Sequence, residues 1–402
     1  MKNKFLTLAI AAALLISCGE DDTSDIVINN TDNSVTTINN NETTGGTEDP
    51  NASQKINLTG SQTSDVTLEA KNDYTLTGSF IMEAGTTLTI EAGTTIKALA
   101  SGSDVYIAIA QGARIIAAGT KDNPIVMTSN STAPKAGDWG GLILLGKAPI
   151  NSVATGTSTS EIGGLPYGGT DAADNSGTIS YLRIQYSGGK ADGQSENNGL
   201  SFYGVGSGTT VDHIQVYEGL DDGIEFFGGT VNISYVSIIN AYDDSLDWTE
   251  GFSGTITDAY IQHGPEHDKA FECDGYNTDI GNNSNPKFFS NPTITNVTVY
   301  GLENPLSGEG IRLRAGTQGT FTNVVLNNFG KGSEIVGDGG DNPTGSWVLD
   351  KTLKFVDITF NNVTTKIENK TAVSFTDSDV ITGDGNGTGT DYASWGAGWT
   401  VD

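Results

Sequence analysis

Val211-Asp-His-Ile214-Gln-Val216 carries the pattern that decides the fold, with apolar residues at its first, fourth and sixth positions. Ile233-Ser-Tyr-Val236-Ser-Ile238 and Ile256-Thr-Asp-Ala259-Tyr-Ile261 repeat this template after 22 and 23 residues. Longer intervals separate four further copies, which begin at Ile179, Ile294, Phe321 and Leu353. A fixed apolar template with variable insertions is typical of a solenoid, in which each coil buries its apolar face against the next.

A second short strand follows the template. Ile224-Glu-Phe226-Phe and Leu246-Asp-Trp248-Thr each begin eight residues after the preceding template ends. Their first and third residues are apolar, which is the period of a strand with one face buried. The sequence therefore predicts an all-β chain, a right-handed parallel β-helix with loop insertions over residues 55–402. A β-propeller is the main rival fold, but its blades would repeat at a steadier period of about 40 residues.

The first residues are typical of an exported protein. An apolar run from Phe5 to Ile16 follows two lysines and is too short to span a bilayer. It ends in Ser17-Cys18, which resembles the lipobox of bacterial lipoproteins and implies cleavage before Cys18 and lipid attachment to its sulfur. We predict a signal peptide over residues 1–17 and a flexible acidic, Asn- and Thr-rich tether over residues 18–54.

The charge balance excludes one class of partner. The formal net charge is −29 at pH 7, with 49 acidic against 20 basic residues. Such a field repels nucleic acid and favours cations or a basic protein surface. We therefore expect no nucleic-acid binding.

Three segments resemble a group of Bacteroidota surface lipoproteins with β-helix bodies that tend to accompany TonB-dependent outer-membrane transporters. They are Thr86-Thr-Leu-Thr-Ile-Glu-Ala-Gly-Thr-Thr-Ile96, Gly137-Asp-Trp-Gly-Gly-Leu-Ile-Leu-Leu-Gly146 and Asp221-Asp-Gly-Ile-Glu-Phe-Phe-Gly-Gly229. The resemblance implies a lipid-anchored protein of the outer membrane. The acidic residues directly after Cys18 resemble the surface-export signal of such lipoproteins and imply that it faces the cell exterior.

Three functions stay open at this point. The resemblance and the anchor favour a non-enzymatic lipoprotein that associates with a TonB-dependent transporter and helps to capture or admit a ligand, either a glycan or a cation. The alternative is a surface glycoside hydrolase or polysaccharide lyase acting on acidic glycans. A structural or adhesive surface rod is the third.

Acidic residues form a predicted ladder on the outer face of the coils. Aligned second strands stack Ser201, Glu225, Asp247, Glu272 and Arg312 about 4.8 Å apart, next to acidic turns. Like charges at that spacing repel unless a cation intervenes, and clustered carboxylates suit Ca²⁺. The predicted metal ligands are Asp221, Asp222, Glu225, Asp243, Asp244, Asp247, Asp268 and Glu272. A solvated acidic stripe without metal is the simpler alternative.

The enzymatic alternative uses the same face. Polygalacturonase-type glycoside hydrolases share the predicted fold and use paired aspartates, a histidine and a basic residue on one strand face. Asp243, Asp244, His267 and Arg312 would match these roles in that order, although the family's Gly-His-Gly tripeptide and its lysine are absent here. A lyase would instead use Ca²⁺, with an arginine as base.

Two further expectations concern structure alone. Cys273 is expected to be a small buried apolar residue, because an acylated Cys18 leaves it no partner. Trp395 and Trp399 are expected to help cover the exposed edge at the C-terminal end of the rod.

Overall fold

The computed structural model describes residues 35–38, 52–190, 196–278, 286–337 and 343–402. The predicted signal peptide and Cys18 lie outside the described residues, as does most of the predicted tether. Within the described part, no helix has the length and apolarity that a membrane crossing requires.

The described elements are almost all strands. In chain order they are β1 (Val35–Ile38), β2 (Lys55–Gln62), β3 (Val66–Leu68), β4 (Asp73–Met82), β5 (Thr87–Ile90), β6 (Thr95–Ala98), β7 (Gly102–Ile109), β8 (Arg114–Ala118), β9 (Ile125–Ser129), β10 (Trp139–Leu145), β11 (Thr157–Thr159), β12 (Pro166–Gly168), β13 (Gly177–Gln185), β14 (Leu200–Tyr203), β15 (Thr210–Gly219), β16 (Ile224–Phe227), β17 (Asn232–Ala241), β18 (Leu246–Thr249), β19 (Thr255–Gln262), β20 (Lys269–Asp274), β21 (Thr293–Tyr300), β22 (Ser307–Arg314), β23 (Gly319–Val336), α1 (Thr344–Leu349), β24 (Leu353–Lys370), α2 (Asp377–Val380), β25 (Ile381–Asp384) and α3 (Tyr392–Trp395).

The strands stack into three parallel sheets, which confirms the predicted parallel β-helix. The first sheet contains β3, β5, β8 and the opening halves of the long strands from β13 to β24. The second contains β6, β9 and the following halves of those strands. The third runs through β7, β10, β14, β16, β18, β20 and β22. Among the described strands, only β1–β2 and β11–β12 pair antiparallel.

Residues in the left-handed backbone region make the corner between the first and second sheets. The third template position has a φ of 48° at Tyr181, 53° at His213, 56° at Tyr235, 58° at Asp258 and 57° at Asn296. β-Branched residues strongly disfavour this region, whereas Asn and Asp tolerate it. This requirement explains why the template carries no Val, Ile or Thr at its third position.

The template positions fill the interior as the sequence predicts. Ile214, Val216, Val236 and Ile238 are all fully buried, and stacked Phe202, Phe226 and Phe252 fill the core beside the third sheet. The predicted last template copy is wrong by two residues. Phe355 pairs with Phe321, and Leu353 precedes the coil. Leu353 and Phe355 point to the same face of one strand, so alternation alone does not separate them.

The cysteine prediction holds within the described residues. Cys273 is a fully buried free thiol on β20, and its side chain belongs to the hydrophobic core. Burial raises the pKa of this thiol well above its ordinary value, so it stays protonated and unreactive.

The C-terminal tryptophans do not cover the end of the rod, which corrects the prediction. Residues 388–402, the C-terminal strap, run back along the corner between the first and second sheets. Trp399 packs edge-on against Tyr181 and His213, at ring distances of 5.4 and 5.8 Å. Gln215 exchanges two hydrogen bonds with the backbone of Val401. The strap tryptophans therefore pack on the large side chains of the left-handed corner.

An insertion covers part of the outer face of the third sheet. Residues 146–176 contain the β11–β12 hairpin and pack on outward side chains that would otherwise be exposed. Tyr167 of this insertion contacts Tyr203, which stacks on Phe227 at 4.0 Å. The insertion therefore forms one wall of a cavity over the third sheet.

Candidate functional site: an acidic cavity on the third sheet

The predicted stack of outward residues is confirmed by strand register. Glu225 pairs with Asp247, Asp247 with Glu272, and Glu272 with Arg312. The acidic turns before these strands also stack, because the backbone amide of Asp244 donates to the Asp222 carboxylate at 2.9 Å. Consecutive coils thus bring carboxylates from strands and turns to one place.

These carboxylates line a cavity of about 850 Å³. The third sheet forms its floor, the acidic turns form one side, and the 146–176 insertion forms another. The lining residues are Ser158, Thr159, Glu161, Tyr167, Glu196, Asn198, Tyr203, Asp221, Asp222, Glu225, Phe227, Asp243, Asp244, Asp247, Glu250, Asp268, Lys269, Glu272 and Asn277.

The cavity carboxylates form four overlapping groups in the described chain, each with ligand oxygens within 4.8 Å of one another. The groups are Glu196/Asp221/Asp243, Asp222/Asp243/Asp244, Asp222/Glu225/Asp247 and Asp244/Asp247/Glu272. All the predicted metal ligands belong to these groups except Asp268, which forms an ion pair with Lys269. Glu196 is the member that the sequence did not reveal.

Lysine side chains lie within ion-pair distance of carboxylates in three of the four groups. Lys190 Nζ lies 3.0 Å from Glu196, 3.1 Å from Asp221 and 3.8 Å from Asp243. Lys269 Nζ lies 3.4 Å from Asp244 and 3.2 Å from Glu272. An ammonium at each position provides the positive charge that close carboxylates require.

The group of Asp222, Glu225 and Asp247 has no such ammonium. In the described residues no lysine or arginine nitrogen lies within ion-pair distance of it. Asn198 donates to Glu225 at 2.7 Å, while Asp247 Oδ1 is buried and has no hydrogen-bond partner there. A buried oxygen without a donor is costly unless a cation contacts it. Three carboxylates with that free oxygen fit Ca²⁺, which prefers hard oxygen ligands.

Burial dominates the protonation of the cavity. It raises the pKa of Asp222, Glu225, Asp244 and Asp247 well above the ordinary range, and neighbouring carboxylates raise it further. Burial also raises the pKa of Asp221, to about 8, with Glu196 adding to the shift and Lys190 opposing it. These cavity carboxyl groups therefore keep their protons to higher pH than exposed carboxyl groups do.

The cavity lysine remains charged. Burial alone would lower the pKa of Lys269, but Asp244 and Glu272 more than offset this, and the pKa lies above its ordinary value. Lys269 is therefore a fixed cation and not a base. The same holds for Arg314, which pairs with Asp274 at 2.6 Å and Glu272 at 3.0 Å.

The structure brings together only half of the predicted catalytic set. Asp243 and Asp244 line the cavity, whereas His267 and Arg312 do not. The His267 ring contacts a backbone carbonyl, 2.8 Å from Gly264 O, and packs on His263 at 4.4 Å. Arg312 lies beside Glu334, at 3.8 Å, one coil beyond the cavity. Asp268 lines the cavity while the adjacent His267 ring packs on His263, so the position of His267 in the sequence does not fix the direction of its side chain.

Other cavity residues come from segments without a repeat. Glu250 is buried with a φ of 56° and accepts a hydrogen bond from Tyr167 at 2.8 Å. Non-glycine residues in this conformation concentrate at functional positions. Lys269 was detectable in principle, since it is the basic residue directly before a second strand. Glu250 and Tyr167 are separated by 83 residues and left no signal.

The chain belongs to the pectate-lyase-like beta helix domain family, whose model matches residues 60–400. No curated protein matches the sequence. Among solved structures it is similar to the catalytic unit of a thermostable GH87 alpha-1,3-glucanase from Streptomyces thermodiastaticus strain HF3-3, with 11% identity and a TM-score of 0.34. A GH87 alpha-1,3-glucanase catalytic domain in complex with tetrasaccharides gives 12% and 0.34. The two alignments cover 79% and 80% of this chain, which spans only 64% of each of those structures.

Proposed function

We propose that the protein is a glycan-cleaving enzyme whose active site is the acidic cavity. The observation that carries this proposal is a pair of adjacent carboxylates with unlike surroundings. Asp244 is buried and its pKa is raised well above the ordinary range, whereas the Asp243 side chain is 42% exposed and its pKa is raised less. Carboxyl groups whose environments separate their pKa values are suited to acid and base roles.

The geometry favours hydrolysis by a retaining route. One oxygen of Asp243 and one of Asp244 lie within 4.8 Å of each other. Glycosidases whose carboxyl groups lie about 5 Å apart retain the anomeric configuration, and those with about 6.5 Å or more invert it, so this close approach favours retention. Asp244 donates its proton to the glycosidic oxygen while Asp243 attacks the anomeric carbon and the C–O bond breaks. Water then attacks the same carbon, gives its proton to Asp244 and releases Asp243.

Elimination is less well supported by the cavity. A lyase needs a base that is unprotonated at working pH, and Lys269 and Arg314 both keep their protons. Asp268 and Glu272 engage Lys269, which leaves that ammonium fully paired. We therefore rank hydrolysis above the lyase alternative.

The charge of the cavity selects the substrate class. The carboxylates of the four overlapping groups would repel a polyanionic glycan, so a neutral glycan fits the cavity better. Asp222, Glu225 and Asp247 would hold a Ca²⁺ ion next to the reacting pair. Bound there, the ion would neutralise these carboxylates and bind sugar hydroxyls.

Reducing-sugar release from a panel of neutral and acidic polysaccharides, with and without Ca²⁺, tests this proposal. Asp244→Asn should lower cleavage at least about 100-fold, as expected when a general acid is removed. Asp73→Asn, at an exposed position outside the cavity, is the matched control and should keep wild-type activity. The anomer first released, read by NMR, should be the retained one. Absence of cleavage across the panel, or equal activity in Asp244→Asn, refutes the proposal.

We also propose that the protein sits on the outer membrane, lipid-anchored through Cys18, and works beside a TonB-dependent transporter. The apolar run, Ser17-Cys18 and the acidic residues that follow support this location. Affinity purification from native outer membranes, followed by mass spectrometry, should recover a stoichiometric transporter. A Cys18→Ser variant should leave the membrane fraction, and recovery of the wild type without a transporter contradicts the partnership.

A further inference from the structure

A strip of neutral side chains lies on the outer face of the second sheet, away from the acidic cavity. Strand register places Gln262 beside Tyr300, Tyr300 beside Asn327 and Asn327 beside Asn361. At about 4.8 Å per coil, the strip extends about 14 Å along the rod. We call these four residues the amide–tyrosine strip.

Tyr300 is the prominent aromatic residue of the strip. Its side chain is 42% exposed and its ring meets Tyr260 at 5.9 Å with a tilt of 52°. One face of Tyr260 is covered, because Tyr392 of the C-terminal strap stacks on it at 3.9 Å. Few large apolar side chains are exposed in the part of the chain that the structure describes, and this one stands in an ordered file of outward polar side chains. A tyrosine presents an apolar ring and a polar hydroxyl, so its exposed side chain is suited to ligand contact.

Two depressions meet at this ring. They measure about 430 and 450 Å³, and both are lined by Tyr260 and Tyr300. One extends toward Asn328 and the other toward Asn361 and the strap. Together they form a groove on either side of Tyr300.

The strip has unused hydrogen-bonding capacity. Gln262 accepts a hydrogen bond from Tyr260, and Asn361 donates to Asn327 at 2.9 Å. Among the described residues, no partner binds the Gln262 amide nitrogen, the Asn361 amide oxygen or the Tyr300 hydroxyl. The strip thus offers a ligand one hydrogen-bond donor, one acceptor and one hydroxyl that can both donate and accept.

The charges of the groove and of the whole chain indicate which class of ligand the strip would bind. Among the residues that line the groove, only Glu303 and Asp391 carry charge at neutral pH, since burial lowers the pKa of His263 to about 3. The net charge of −29 repels a polyanion, and a cationic partner is better served by the acidic cavity. An aromatic ring flanked by amides suits a neutral ligand with apolar faces and many hydroxyls.

We propose that the amide–tyrosine strip is a binding surface for a neutral polysaccharide chain, which lies along the rod and stacks one sugar on Tyr300. The strip lies on a different sheet from the cavity and does not depend on catalysis there. Its role would be to hold the polymer on the protein surface.

Affinity electrophoresis tests the strip directly. Native gels would contain dextran, xyloglucan, galactomannan or mixed-linkage β-glucan, and the full chain would carry Asp244→Asn so that no cleavage occurs. At least one polysaccharide should retard this protein. Adding Tyr300→Ala should weaken binding about tenfold, the usual effect of truncating a central aromatic contact. Tyr300→Trp should restore it.

Leu349→Ala is the control, because Leu349 is 50% exposed at the end of α1 and lies outside the groove. It should bind as its parent does. No retardation by any of the four polymers, or equal retardation with and without Tyr300→Ala, overturns the proposal. Retardation of the wild type that Asp244→Asn abolishes would assign binding to the cavity and overturn it as well. Lack of hydrolysis by the wild type would refute the enzyme and leave this result unaffected.

Discussion

The buried carboxyl of Asp221 makes stability depend on pH in a direction opposite to that of most acidic residues. Its pKa is about 8 in the folded protein, against an ordinary value of 3.8. Between these values the folded state keeps a proton that the unfolded chain releases, so stability is full at low pH and falls as pH rises. Each pH unit in this window removes up to about 1.4 kcal/mol. From about pH 5 to about pH 7, Asp221 alone should lower the free energy of unfolding by up to about 2.7 kcal/mol.

Asp221→Asn removes that titration. Its free energy of unfolding should therefore fall less than that of the wild type over the same interval, by up to about 2.7 kcal/mol. Chemical denaturation at several pH values in EDTA measures both slopes. Asp73→Asn, exposed on β4, should keep the wild-type slope. Equal slopes for the wild type and Asp221→Asn would show that the carboxyl is already ionised in the folded state, and would refute the argument.

Three further perturbations test other parts of the structure. Ca²⁺ at 100 times its Kd should stabilise the wild type by about 2.7 kcal/mol in denaturation, and Asp247→Asn should remove this gain; no stabilisation of the wild type refutes the cation site. Lys269→Met should cost about 3 kcal/mol in chemical denaturation, because it removes the buried cation that lies against Asp244 and Glu272; an unchanged free energy of unfolding contradicts the pairing. Trp399→Ala should cost about 3 kcal/mol or more and open the strap to limited proteolysis, since this ring is buried; an unchanged cleavage pattern contradicts its anchoring role.

The fold was predictable because its signal is local and repeated. The template at Val211, Ile233 and Ile256 places apolar side chains inward in every coil, and their starts fix the register of the coils between them. Once register is known, the outward neighbours follow, which is why Glu225 and Asp247 could be placed side by side. The start of the last template copy was predicted at Leu353 instead of Phe355, because both residues are apolar and lie on the same face of one strand.

The site was predictable only in its repeated part. Strand and turn carboxylates recur once per coil, whereas Lys190 and Glu196 lie outside the repeated strands and turns. The pair of Tyr167 and Glu250 joins an insertion to a strand end 83 residues away, and such a contact depends on tertiary packing. The orientation of the His267 side chain also depends on tertiary packing, so the sequence did not reveal it. Its position in the turn was correct, but the side chain faces His263 and not the cavity.

The C-terminal strap gives this rod an order of assembly. The chain emerges N-terminus first, whether from the ribosome or across a membrane, so each coil can stack on the coil before it as it emerges. The corner residues Tyr181, His213 and Tyr235 belong to early coils, but their covering partners are Trp395 and Trp399. These aromatic rings therefore lack their covering partners until residues 388–402 have emerged and can pack on them.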